Sequence, residues 1–375
     1  PPCCHDDGRM TSERWDRVVG QDRAVGLLQR AAERPVHAYL LVGPRGSGIE
    51  EAARCFAAQL VVPDGDERSW DLILRGIHPD VVEIDPPANQ IRVEDAQTVV
   101  DEVYRSPIEG ARKVIVVFDA DRMNEPAANK LLKTLEEPPP SAVLVLVTAG
   151  ADRMLATIRS RCQRVDFAFL SASSVVASLE AAGVDRAQAE QFAALAGGRL
   201  DRARALLGLL GAVRGAFVDA CHAVDGTGGA VAAQADAVQA ALQNALSELE
   251  RAQAEEVEQL GGELEAAGYP ERTRRAQLRR LEDRHKRAHR RARTDALIEG
   301  ITAVETVYRD AMVGAGTPAL NRDRPILSVD ARSAARALDA CRDARQALSE
   351  FNPSEGLLIE RLLLHLPSGT ASFGR

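Results

Sequence analysis

Four short apolar runs, at residues 38–42, 81–84, 114–118 and 143–147, are separated by stretches of helical periodicity. That alternation constrains the fold more than any other feature of the chain. A run with no polar face suits a strand buried on both sides, and strands alternating with helices build βαβ units around a parallel sheet. An α/β core with flanking helices is therefore expected from Trp15 to about Phe169. After Leu170 the strand patterns stop, and short helices broken at Gly183, Gly197 and Gly198 predict a small helical domain. From about Ala212 onward the Ala-rich periodic stretches predict an all-α domain, with breaks at residues 226–229, 261–262 and 268–270. The predicted organisation is an extension at 1–14, expected to be disordered, a core at 15–170, a helical lid at 171–210 and an all-helical domain at 211–375.

At 375 residues the chain is too long for one compact core. Its hydrophobic share of 45% and charged share of 27% are those of a chain that folds. The longest apolar runs fall far short of the roughly 20 residues a bilayer span needs, so no membrane segment is expected. Six cysteines, at 3, 4, 55, 162, 221 and 341, are mostly far apart and follow no secretory signal, which points to a reducing cytoplasm. Cys3, Cys4 and His5 lack the spaced pairs of a structural zinc site, and the residues before Met10 read as an upstream extension, leaving the start codon open.

A net charge of −8 gives no support to nucleic-acid binding by the whole chain, so any such contact must be local. One segment qualifies. Between Arg272 and Arg293 stand ten arginines and one lysine against Glu282 and Asp283, a local charge of +9. As a helix it would extend about 33 Å. A solvated arm and a phosphate-binding surface both remain open for it.

The run 38–42 leads into Gly43-Pro44-Arg45-Gly46-Ser47-Gly48-Ile49-Glu50. Strand, glycine loop and helix form the frame of a P-loop, whose working form reads G-x-x-x-x-G-K-[ST]. There the backbone N–H groups cradle phosphates, the lysine reaches the β and γ phosphates, and the hydroxyl holds magnesium. Gly43, Gly46 and Gly48 fit the loop, but Ile49 supplies no cation and Glu50 sets a carboxylate where the hydroxyl belongs. The run 114–118 ends in Asp119, followed by Ala120 where a water-activating acid would stand, and Asp121 comes one residue too late. ATP hydrolysis by this chain is not expected, and ATP binding is doubtful. A glycine loop that merely turns a strand into a helix is the preferred reading of 43–48.

Beyond this loop the residues carry a resemblance. Val19-Gly20-Gln21, His37 to Pro44, the stretch Ala128-Asn129-Lys130-Leu131-Leu132-Lys133-Thr134-Leu135-Glu136-Glu137-Pro138-Pro139, and Ser160-Arg161-Cys162 are similar to motifs of the delta-prime family of clamp-loader subunits of bacterial DNA polymerase III. The resemblance runs from Trp15 to Pro367 and includes the ending Phe351-Asn352-Pro353. It implies an AAA+ P-loop core, a small helical lid and an all-α collar that holds a pentamer together. It implies that Arg161 is presented as an arginine finger in trans to ATP held by a neighbouring subunit. Partners implied are gamma/tau and delta subunits, then the sliding clamp, the polymerase and primed DNA, with primed DNA contacted through Arg272 to Arg293 as one option. The implied role is that of a subunit without intrinsic enzymatic activity in a holoenzyme with DNA-directed DNA polymerase activity, located at the replisome.

Three departures from the family pattern stand out. Relatives carry a four-cysteine zinc module ahead of a His-Pro-Asp segment, whereas residues 61–77 contain no cysteine before His78-Pro79-Asp80, so no zinc is expected. The position resembling the second sensor arginine is Asp201, flanked by Arg199 and Arg202. The basic stretch at 272–293 has no assigned role. Two alternatives stay in view: an ATP-hydrolysing gamma/tau-type motor, and an AAA+-derived scaffold outside replication.

Overall fold

The computed structural model describes residues 14–63, 66–85, 90–313, 318–351 and 353–368. Cys3, Cys4, His5, Met10 and Asn352 lie outside them, as does nearly all of the expected 1–14 extension. The elements run α1 (Asp22–Glu33), β1 (Ala38–Val42), α2 (Ile49–Val61), α3 (Glu67–Leu74), β2 (Val81–Ile84), α4 (Val93–Val103), β3 (Lys113–Val117), α5 (Glu125–Glu136), β4 (Ala142–Thr148), α6 (Ala156–Arg159) and β5 (Gln163–Asp166). Helices follow to the end: α7 (Ala172–Ala181), α8 (Arg186–Ala196), α9 (Leu200–Ala205), α10 (Leu209–Ala223), α11 (Gly228–Ala266), α12 (Glu271–Val313), α13 (Ala331–Glu350) and α14 (Glu355–Leu364).

The five strands are all parallel, in the order β2-β3-β4-β1-β5. Their side chains alternate with period two between two separate cores. Tyr39, Leu41, Val114, Val116, Val143 and Val145 join α1, α2 and α3 on one face. Ala38, Leu40, Ile115, Val117, Leu144 and Leu146 join α4, α5 and Ile158 on the other. This is the parallel α/β core with flanking helices that the apolar runs implied. β5 escaped the sequence reading, because three of its four residues are exposed and it forms an edge beside β1 with no apolar run to betray it.

Local signals explain α5, which carries the longest family motif. Asn124 caps its start by accepting from the Ala127 N–H at 2.9 Å, Pro126 occupies its first turn, and Pro138 ends it. Ala128, Leu131 and Leu135, on one face at helical spacing, enter the core.

The His-Pro-Asp segment is a structural knot at the amino end of the sheet. Asp80 is fully buried; its Oδ1 accepts from the Ile108 N–H at 2.7 Å and its Oδ2 from the N–H groups of Glu109 and Gly110 at 2.8 and 2.7 Å. Lys113 donates to the Pro79 carbonyl at 2.9 Å and pairs with Glu102 at 3.2 Å. His78 Nδ1 accepts from the Asp80 N–H at 3.1 Å, and burial holds the imidazole down at about 4, against 6.5 for a free one. Because the folded form keeps His78 neutral while the unfolded chain takes up a proton, its contribution is intact above about pH 6.5 and is lost as pH falls towards 4. Within that window the wild-type chain should lose about 1.4 kcal/mol per pH unit relative to His78→Gln. Parallel urea titrations of the two proteins check this; identical slopes would remove the assignment.

By contacts, the described chain falls into two units. The first holds the sheet core to Ala189, Ala196–Arg202 and Val257–Arg287; the second holds Glu190–Leu195, Ala203–Glu256 and the residues from Ala288 onward. Among the described residues the second unit has a large helical core, including Phe217, Leu242, Ile301, Tyr308, Ala337 and Leu362. Residues 257–287, the facing ends of α11 and α12 around Gly268 and Pro270, thus fall in the first unit.

Candidate functional site

The carboxyl ends of β1, β3 and β4 converge where an open α/β sheet carries its ligands. The loop 43–48 leaves β1 there, with the Gly43 N–H donating to the Thr148 carbonyl at 3.0 Å. Gly43 is needed for packing: a Cβ would stand 2.5 Å from Phe167 Cβ and 2.8 Å from the Phe167 carbonyl oxygen. Gly46 and Gly48 adopt φ of 71° and 89°, left-handed conformations that turn the chain into α2. Ser47 Oγ donates to the Pro44 carbonyl at 2.7 Å. Buried Gln21 holds the loop from below, its Nε2 donating to the carbonyls of Ser47 at 2.9 Å and Ala168 at 2.7 Å. The loop therefore has a P-loop backbone built from its own packing needs.

Its side chains differ from those of a working P-loop. Ile49 is fully buried in the core beneath α2 and puts nothing into the loop. Glu50 is half-buried; burial, with the neighbouring Glu51 and Asp201 carboxylates, pushes its carboxyl up despite the nearby Arg45 guanidinium. Arg45 is engaged with Asp119 at 3.2 Å, and Arg122 approaches the same carboxylate at 3.6 Å. Asp119 itself has φ of 49°, and Ala120 beyond it is buried. Asp121 takes no part in the loop: its Oδ1 accepts from Thr148 Oγ1 at 2.5 Å and its Oδ2 from Arg153. Burial alone would raise Asp121, but these two donors hold it below the usual carboxylate range.

One feature was only half legible. The Leu200 N–H donates to the Gly46 carbonyl at 2.9 Å, and the Asp201 carboxylate lies so close over Gly46 that a Cβ there would sit 1.6 Å from Asp201 Oδ1. Asp201 is in turn held by Arg199 at 2.9 Å. The resemblance sets Asp201, between Arg199 and Arg202, at the position of the second sensor arginine; its seat on the loop needed the fold. Gln21 and Arg45 as loop anchors were likewise not read as such.

Arg161 stands elsewhere. β5 runs parallel to β1 with Gln163 opposite Tyr39 and Asp166 opposite Val42. Arg161 therefore enters from the amino end of these strands while the loop leaves from the carboxyl end, roughly 15 Å away at about 3.3 Å per residue. An arginine side chain does not bridge that gap. Arg161 is half-exposed, pairing with Glu136 at 2.7 Å and donating to the Thr157 carbonyl at 3.0 Å. Among the described residues no group of His, Cys, Asp or Glu is arranged to hold a metal ion, and no helix is long and apolar enough to cross a membrane.

Residues 20–171 match the family model described as DNA polymerase III, delta subunit. Through this region the chain is similar to clamp-loader subunits of DNA polymerase III. Subunit delta-prime of Pseudomonas aeruginosa is 39% identical over 135 residues, covering 34% of this chain and 41% of that protein. Subunit tau of Bacillus subtilis is 33% identical over 210 residues, covering 52% of this chain and 37% of that protein. The chain thus spans less than half the length of these curated relatives. Among solved structures, a gamma-subunit-related DNA polymerase III protein of Thermotoga maritima superposes with a TM-score of 0.42 and 20% identity, over 91% of this chain and 98% of that one. Clamp-loader relatives of both the delta-prime and the tau/gamma type therefore share this core, and the identities alone do not separate the two.

Proposed function

We propose that this chain is the delta-prime type of subunit: a non-catalytic member of a DNA polymerase III clamp loader that helps place the sliding clamp on primed DNA. The observation that carries the reading is the loop itself. A cation at 49, a hydroxyl at 50 and an acid at 120 are all replaced, and the chain's own Asp201 carboxylate occupies the space over Gly46. Each lost hydrogen bond to a charged phosphate is worth about 1.5–3 kcal/mol, and the two carboxylates add repulsion. Purified chain with ATP and magnesium is expected to release no γ-phosphate above background; steady release would instead favour the motor type, a reading supported by the long match to tau.

In this reading Arg161 serves an ATP bound by an adjacent subunit, which its distance from its own loop supports. The Glu136 pair that holds it is half-exposed on both sides, and such pairs contribute only about 0–1 kcal/mol. A neighbour's polyphosphate would outbid it at little cost. The second unit would supply the collar: Phe351, Leu357 and Leu364 are large apolar side chains left exposed on or beside α13 and α14, available to helices of adjacent subunits. Gamma/tau and delta subunits are the proposed neighbours, with the clamp, polymerase and primed DNA reached through the assembly at the replisome.

A further inference from the structure

The basic stretch has an inner face that its composition conceals. Gln277, Leu281 and His285, four residues apart, are buried along one side of α12, while Arg272, Arg275, Arg279 and Lys286 form an outward stripe. The inner side closes a small apolar cluster in which Leu72 and Ile77 meet Leu260, Leu264 and Leu281. Leu72, near the end of α3, and Ile77, just beyond it, are 3% and 0% exposed, and in this cluster their buried partners all come from residues 257–287. An eight-residue helix is too short to hold itself, so α3 depends on what covers it.

The cations on this side are spent on main chain. Arg280 donates to the His78 carbonyl at 2.9 Å, beside the Val81 N–H that the same oxygen accepts, and Arg284 donates to the Arg75 carbonyl at the end of α3. Arg75 answers with a pair to Glu263 at 3.0 Å, and Arg68 lies 4.4 Å over the Tyr269 ring at the turn. Arg274 pairs with Glu265 and Arg275 with Glu271, so much of the charge is neutralised inside the segment.

We propose that residues 257–287 form an internal clamp that fastens the 68–78 segment, and through His78 and Asp80 the 108–110 loop, to the sheet core. The clamp stands in this chain as a non-covalent crosslink, and its arginines act by capping carbonyls instead of binding phosphate. Hydrogen exchange on the full chain tests it. In Arg280→Ala/Arg284→Ala, amides of 68–78 and 108–110 are expected to exchange about tenfold faster while those of β3 and β4 are unchanged. The surface variant Arg272→Glu/Arg279→Glu, which leaves the inner face intact, should leave both regions as in the wild type. Leu281→Ala should reproduce the first pattern by removing apolar contact without touching charge. Unchanged exchange in the first variant and in Leu281→Ala overturns the proposal, as does loss of binding to a primed duplex on Arg280→Ala/Arg284→Ala with protection retained.

Discussion

Replacing Arg161 with alanine in a reconstituted clamp loader is expected to slow ATP turnover at the neighbouring site by about 10³-fold. A guanidinium presented in trans meets negative charge that grows on the γ-phosphate oxygens in the transition state, so its loss falls on the chemical step and not on assembly. Arg161→Lys should recover part of the rate, since an ammonium keeps the charge but not the planar fork. DNA-stimulated phosphate release by assemblies carrying each variant, with subunit content verified by mass, is the measurement. A rate equal to the wild type in Arg161→Ala would end the proposal that this residue acts across a subunit boundary. The half-exposed pair with Glu136 predicts little change in stability from the same substitution, which keeps the kinetic effect interpretable.

Asp80→Ala is expected to be the most damaging single change to the stability of the sheet core, at roughly 3–5 kcal/mol. The carboxylate receives three main-chain donors, from Ile108, Glu109 and Gly110, in a fully buried place. Alanine leaves those N–H groups without an acceptor, and each unsatisfied group costs about 1–3 kcal/mol before the loop relaxes. The loop has little room to do so: a Cβ on Gly110 would already stand 2.3 Å from Val61 Cγ1. Both tryptophans, Trp15 and Trp70, are buried in this unit, so urea unfolding followed by their fluorescence reports on it selectively. Asp80→Asn should fall between, because an amide oxygen still accepts while its nitrogen faces donors. A loss below about 1 kcal/mol for the alanine variant would show that the 108–110 loop is held by other contacts.

The sequence by itself determined the sheet core and the side chains that its glycine loop presents. Apolar runs with no polar face can be satisfied only by strands covered on both sides, and β1 to β4 appear within a residue or two of where those runs stand. Ile49, Glu50 and Ala120 are visible as departures from the working pattern because the phosphate chemistry demands particular side chains at fixed offsets in the chain. What only the tertiary structure decided are relations between segments far apart in sequence. The edge strand β5 has no pattern of its own and exists because β1 offers it a partner. Asp201 reads as a missing arginine until the fold brings it over Gly46, 155 positions away. The basic run between Arg272 and Arg293 counts as +9 along the chain, yet charge counted by sequence ignores what each side chain faces. Packed against Leu72 and Ile77, part of that run turns inward, and its arginines meet carbonyls that no local pattern could have announced.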